Sequence, residues 1–226
     1  MKKFLEICLL SLVCCFVNAH ASDIDPIFNV IWDASLGMKP DESDPKWRLS
    51  GVTEGTGAKG SDEFVGDVLR FDTPKDETID GKYLPYRVYF IDSASRWNPV
   101  KNPLVTIEFS ARVLSVAAGA DYSTCLAFYT GTTGYVFALD EMGISTNDGE
   151  AFAFDTSEFH VFRVTLDAEG VAKLYMDGAS EPIITTYGAP SENRAVILFG
   201  SRTNTTGGVS EWKYLAYTTN GAFPTP

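Results

Sequence analysis

Residues 159–178 read Phe-His-Val-Phe-Arg-Val-Thr-Leu-Asp-Ala-Glu-Gly-Val-Ala-Lys-Leu-Tyr-Met-Asp-Gly, and this stretch decides the fold class. From Phe159 to Leu166 the chain alternates. His160, Phe162, Val164 and Leu166 fall on one face, and Val161, Arg163 and Thr165 on the other. Period two marks a half-buried strand, because successive side chains leave a pleated backbone on opposite sides. Asp167-Ala-Glu-Gly170 then turns the chain, Val171–Met176 returns it, and Asp177-Gly178 turns it again.

The same grammar extends in both directions. Upstream, Val105, Ile107, Phe109 and Val113 alternate with Thr106, Glu108, Ser110 and Arg112. Tyr86–Ile91 reads as a strand that ends in the polar loop from Asp92 to Pro103. Thr124–Thr130 and Tyr135–Leu139 flank Gly131-Thr-Thr-Gly134, which predicts a hairpin. Gly143–Ser145 is followed by the turn residues Asn147-Asp148-Gly149. Downstream come Ile183–Tyr187, Ala195–Phe199 and Glu211–Thr218. No window of eleven or more residues has a helical period outside the N-terminal apolar run, so the pattern predicts an all-β fold, a sandwich or a barrel, and not a parallel α/β sheet. Residues 23–66 are harder to read. Phe28–Trp32 looks like an opening strand, Met38–Pro45 like a loop rich in proline and acid, and Gly51–Gly66 is rich in glycine. No repeat or linker divides the chain.

The N-terminus predicts the compartment. Lys2 and Lys3 precede an apolar run from Phe4 to Val17, and Ala19-His20-Ala21 supplies the small residues of a signal-peptidase site. The expected division is a signal peptide over 1–21 and one domain over 22–226, secreted or periplasmic. The run is shorter than a bilayer span requires, so no membrane insertion is expected after cleavage. Ser11-Leu12-Val13 ahead of Cys14 lacks the small residue of a lipobox.

Cleavage after Ala21 would leave 16 basic and 29 acidic residues, a net charge of −13. Such a surface repels phosphate backbones, which excludes nucleic acid as an expected partner. Cys125 and His160 would be the sole cysteine and histidine left. That rules out an internal disulfide and a Cys/His zinc site. Stability must then come from a large core.

Three segments carry a family resemblance. They are Ser157-Glu-Phe-His-Val-Phe-Arg-Val164, Leu174-Tyr-Met-Asp-Gly178 and Glu211-Trp-Lys-Tyr-Leu-Ala-Tyr217. Together they resemble the concanavalin A-like jelly rolls, and most of all a laminin-G-like group of secreted bacterial proteins. The resemblance spans roughly residues 28–223 and implies a jelly-roll sandwich that presents a face to sugars. Two departures accompany it. Where the related glucanases carry a calcium-ligand aspartate between two aromatics, this chain has Lys213 between Trp212 and Tyr214. Lys213 would either put an ammonium in the calcium's place or lie solvated on the strand, so a structural calcium is disfavoured and no cofactor is expected. The glucanases' Glu-x-Asp-x-Glu strand is matched only by Glu42-Ser-Asp44, which sits between Pro40 and Pro45.

Other chemistry is sparse. His160 could anchor a triad, but its strand face reads as that of a hydrogen-bonded core histidine. Cys125 reads as a small hydrophobe. Asp41, Glu42 and Asp44 lack the order of a calcium loop. Sugar recognition needs less, namely aromatic rings flanked by hydrogen-bonding side chains. Trp97, with Arg96 and Asn98 beside it in a polar loop, is either such a platform or a ring folded over the sandwich edge. If Val88 and Phe90 face the core, Arg87 and Tyr89 face out. If Leu126 and Phe128 face in, Tyr129 faces the opposite side. The expectation is therefore a non-catalytic carbohydrate-binding or surface-interaction module with a polysaccharide or glycoconjugate partner. The alternatives are a jelly-roll hydrolase or lyase and a structural, protein-binding module.

Overall fold

The computed structural model describes residues 24–50, 60–73, 78–79, 82–83, 87–92, 97–99, 104–192, 195–201 and 206–225. The expected signal peptide, Arg96 and residues 51–59 of the glycine-rich segment Gly51–Gly66 lie outside the described residues. In chain order the strands begin with β1 (Val30–Asp33), β2 (Arg48–Ser50), β3 (Ser61–Val65), β4 (Val68–Thr73), β5 (Thr78–Ile79), β6 (Lys82–Tyr83) and β7 (Val88–Asp92). The central set is β8 (Val105–Val116), β9 (Thr124–Tyr129), β10 (Thr133–Leu139), β11 (Gly143–Thr146), β12 (Ala151–Ala153) and β13 (His160–Leu166). The chain closes with β14 (Ala172–Met176), β15 (Ile184–Thr186), β16 (Ala189–Pro190), β17 (Val196–Gly200) and β18 (Gly208–Thr218). Among the described residues there is no α-helix, only the 3-10 turns Ala34–Leu36 and Pro40–Glu42.

Two antiparallel sheets of eight strands form a jelly-roll sandwich. The first, sheet A, runs β15-β14-β13-β8-β18-β4-β3, with β1 also paired to β18. The second, sheet B, runs β12-β11-β10-β9-β17-β7-β2, with β16 also paired to β10. β5 and β6 pair only with each other. The expected alternation on β8 and β13 is what stacks the layers. Ile107, Phe109, Phe162 and Val164 point inward to meet Leu126, Phe128, Phe137 and Phe199 of the opposite sheet. Rings link the layers: Phe109 lies on Trp212 of the same sheet at 5.2 Å, and Trp212 meets Phe199 of the opposite sheet at 4.9 Å between centroids. Each such side chain contributes about 1.5–3 kcal/mol on leaving water.

The turns behave as their residues require. Asp177 and Gly178 both have positive φ, and the Ala179 N–H closes onto the Met176 carbonyl at 3.0 Å. Asp-Gly is the pair that tolerates this geometry. Gly134 has a different reason. A Cβ there would lie 2.5 Å from the Tyr129 ring, so the glycine makes room for that ring across the β9–β10 pair.

Two features depart from expectation. β3 begins inside the segment read as a glycine-rich loop, pairing with β4 through the Gly66-Asp67 turn. Its sequence, Ser-Asp-Glu-Phe-Val, is largely polar because β3 is an edge strand, and edges favour charge over apolar runs. The face assignment of β7 is also reversed. Tyr89 and Ile91 point into the core, and Val88 and Phe90 onto the outer face of sheet B.

Candidate functional site

The residues favoured on sequence grounds do not form one exposed surface. The Trp97 ring is fully buried, edge-on to Phe128 and Tyr217, and its Nε1–H donates to the Tyr129 carbonyl at 3.1 Å. With both faces packed it offers nothing to a sugar, so the folded-in reading replaces the platform reading. Asn98 beside it is half-buried. Tyr129 does lie on the outer face of sheet B, but buried among Val88, Cys125, Ala127 and Leu198. Arg87 and Tyr89 converge on Asp62 instead of facing solvent. The Tyr89 hydroxyl donates to Asp62 Oδ2 at 2.5 Å, Arg87 Nε donates to the Gly60 carbonyl at 2.7 Å, and Arg87 also pairs with Asp62 Oδ1. Lys39 Nζ completes the cluster at 3.0 Å from Asp62 Oδ2. This explains the reversed β7. A buried tyrosine needs an acceptor, and Asp62 supplies one inside the sandwich edge. Burial and the Asp62 carboxylate together push the Tyr89 hydroxyl well above the usual phenol range.

The other single residues settle as follows. His160 packs on Phe154 and Phe162, with Nδ1 2.6 Å from Asp177 Oδ2 and Nε2 2.9 Å from the Asp155 carbonyl. Burial pulls its pKa down, but the Asp177 and Asp155 contacts outweigh this and raise it. Both ring nitrogens are engaged by these oxygens, which leaves neither open to a serine of a triad. Glu42 and Asp44 lie at a 3-10 turn, not on a strand, and Glu42 caps the Lys39 N–H at 3.0 Å. The Cys125 thiol is buried, 3.7 Å from the Gly200 carbonyl.

Polar chemistry gathers elsewhere, on the outer face of sheet A. Glu108 and Arg163 are cross-strand partners on β8 and β13. Arg163 Nε donates to Glu108 Oε2 at 2.7 Å, and the Tyr214 hydroxyl donates to Oε1 at 3.0 Å. Arg163 Nη2 also reaches Asp25 at 3.3 Å. Glu108 is 7 % exposed, so this pairing is what allows a carboxylate there. Burial, then the charge and hydrogen bond of Glu108, raise the Tyr214 hydroxyl far above its ordinary value. A second ladder crosses β4, β18 and β8. Glu211 accepts from Arg70 at 2.5 and 2.8 Å and from Arg112 at 2.7 Å. Lys213 is the extra residue of a β-bulge, between Trp212 opposite Ala111 and Tyr214 opposite Ser110. Its ammonium lies 4.4 Å over the Phe159 ring, which also receives Arg112 at 4.6 Å.

These groups enclose an open cleft of about 460 Å³. Its walls are Phe159, Val161 and Tyr214; its polar lining is Asp25, Asp33, Asp67, Glu108, Arg163 and Lys213. The size suits one or two sugar rings. At the position where the resemblance implies a calcium ligand, the Lys213 ammonium lies over the Phe159 ring. Among the described residues no group of three acidic, histidine or cysteine side chains could hold a metal ion. Sequence reasoning placed Glu108 and Arg163 on outward faces but could not make β8 and β13 neighbours, and that adjacency creates the site.

No family model and no curated protein matches the sequence. Among solved structures the fold is similar to the receptor-binding domain of botulinum neurotoxin D, at 9 % identity and TM-score 0.56, over 88 % of this chain and 50 % of that one. It is also similar to the carbohydrate recognition domain of Emp46p, solved as a point mutant, at 12 % identity and TM-score 0.50, over 85 % of this chain and 96 % of that one. The chain spans about half the length of the neurotoxin domain it matches. The likeness is one of fold.

Proposed function

We propose that this chain is an exported, non-catalytic carbohydrate-binding module, one domain over residues 22–226, and that the cleft on the outer face of sheet A is its ligand site. The observation that carries the reading is the cleft itself. Apolar lining from Phe159, Val161 and Tyr214 stands beside hydrogen-bonding groups that ion pairs already hold in place, so little ordering remains for a ligand to cause. The fold is shared with a domain named for carbohydrate recognition and with one named for receptor binding.

Two facts support the non-catalytic part. Both Glu108 oxygens already accept hydrogen bonds, which makes that carboxylate a poor acid or base. Tyr214, the hydroxyl a lyase would need deprotonated, has its pKa moved the wrong way. The test is a glycan array with polysaccharide pull-down, run on the mature chain and on Ser35→Trp. Ser35 lines the cleft mouth and is exposed, so the tryptophan fills the cleft without entering the core. Binding by the parent and at least about tenfold loss in the variant, at unchanged melting temperature, is the expected result. Blank arrays would overturn the reading in favour of a protein-partner module, and sugar release by pure protein would establish a hydrolase or lyase.

A further inference from the structure

We infer that the cleft selects saccharides bearing a free amine, with Asp33 as the residue that makes the choice; the inference rests on the carbohydrate reading above. Its basis is the charge left over once the ion pairs are assigned. Four carboxylates, Asp25, Asp33, Asp67 and Glu108, line the cleft against two cations, Arg163 and Lys213. Arg163 is committed to Glu108 and Asp25, and Lys213 rests on Phe159. Among the described residues neither Asp33 nor Asp67 has an ion-pair partner, so the cleft carries two uncompensated negative charges.

Asp33 is the telling one. It ends β1 opposite Tyr214 of β18 and is only 8 % exposed. Its Oδ1 accepts the Ser35 N–H at 2.8 Å, capping the short 3-10 turn that follows. A carboxylate this withdrawn from water ordinarily sits beside a cation, because its lost hydration must be replaced. Here the side open to ligand is a cleft with aromatic and polar walls. A protonated sugar amine supplies the missing charge and up to three donors to Asp33 and to the exposed Asp67 at the β3–β4 turn, while ring hydroxyls and apolar faces meet the rest of the lining. Sulfates and uronates would meet the surplus negative charge instead, on a chain whose overall charge is already −12.

The experiment is calorimetric titration at about pH 6, where a glucosamine amine is largely protonated, against three probes. They are a glucosamine oligomer, its fully N-acetylated counterpart and a sulfated heparin fragment of similar length. The free-amine oligomer is expected to bind about tenfold tighter than the acetylated one, with no measurable heparin binding. Asp33→Asn keeps the capping oxygen and the volume, and should bring the free-amine and acetylated probes to parity. Asp67→Asn, in an exposed turn, should reduce the preference only in part. Acetylated or sulfated probes binding as well as the amine, or an unchanged preference in Asp33→Asn, would overturn the selectivity while leaving carbohydrate binding standing. Silence with all three probes, together with a blank glycan array, would remove the carbohydrate reading and this one with it.

Discussion

The two outer faces of the sandwich are built from opposite materials. On sheet A the outer face of β8, β13 and β18 carries paired charges, Glu108 with Arg163 and Glu211 with Arg112, and the first of these pairs borders an open cleft. On sheet B the outer face is apolar: Val88, Cys125, Ala127, Tyr129, Ala138 and Leu198 are buried there, with Phe90, Val136 and Val196 half-buried beside them. β9 is buried at every position, whereas β13 starts half-exposed. A sheet face left with charged groups in register can present hydrogen bonds to a ligand. One covered by small and apolar groups behaves as a second, smaller core.

The sharpest way to break this contrast is to put charge on the apolar side. Ala127→Glu would bury a carboxylate with no counter-ion on the outer face of sheet B, at a cost of more than about 3 kcal/mol. Chemical denaturation should show loss of the cooperative transition or a large drop in its midpoint. A variant that folds normally would mean this face is open to water. Next in size is Glu211→Gln. Glu211 is 1 % exposed and holds two arginines, so the substitution strands both. The expected loss is about 3 kcal/mol, the low end for a broken buried pair because Arg70 and Arg112 retain solvent contact. A loss below about 1 kcal/mol would show the ladder to be ordinary surface pairing.

The smallest effect lies at His160. Its folded pKa is raised, so its charged form is bound more tightly in the native state than in the unfolded chain. That stabilisation is complete below the unfolded value near 6.5 and fades as pH climbs through the higher folded value. His160→Gln should therefore lower stability by about 1 kcal/mol below pH 6 and by progressively less above it. A mutant deficit that grows with pH would contradict the pairing with Asp177.

The same contrast explains what could be read from the residues alone. β8 and β13 were legible because polar and apolar residues alternate there, and their inward faces are as expected. β7 was not. Val-Tyr-Phe-Ile is apolar in both registers, and only the distant Asp62, which satisfies the Tyr89 hydroxyl, decides that the tyrosine goes inside. Trp97 followed the same rule, since a polar neighbourhood in sequence says nothing about a ring whose N–H finds the Tyr129 carbonyl. The cleft was half visible. Glu108 and Arg163 carry outward-facing charge in clean strands, but Asp33 and Lys213 join them through pairings of β1 with β18 and β18 with β8 that link residues far apart in the chain.

That long-range pairing has a kinetic consequence. β18 lies between β8 and β4 and also binds β1, so one late segment, Gly208–Thr218, is the shared neighbour of three strands made much earlier. Until it emerges from the ribosome those three strands keep unpaired edges, and the hydrophobic layer beneath them stays open. Closure of the first sheet is thus a late event that must overcome a large loop entropy, which makes for slow folding.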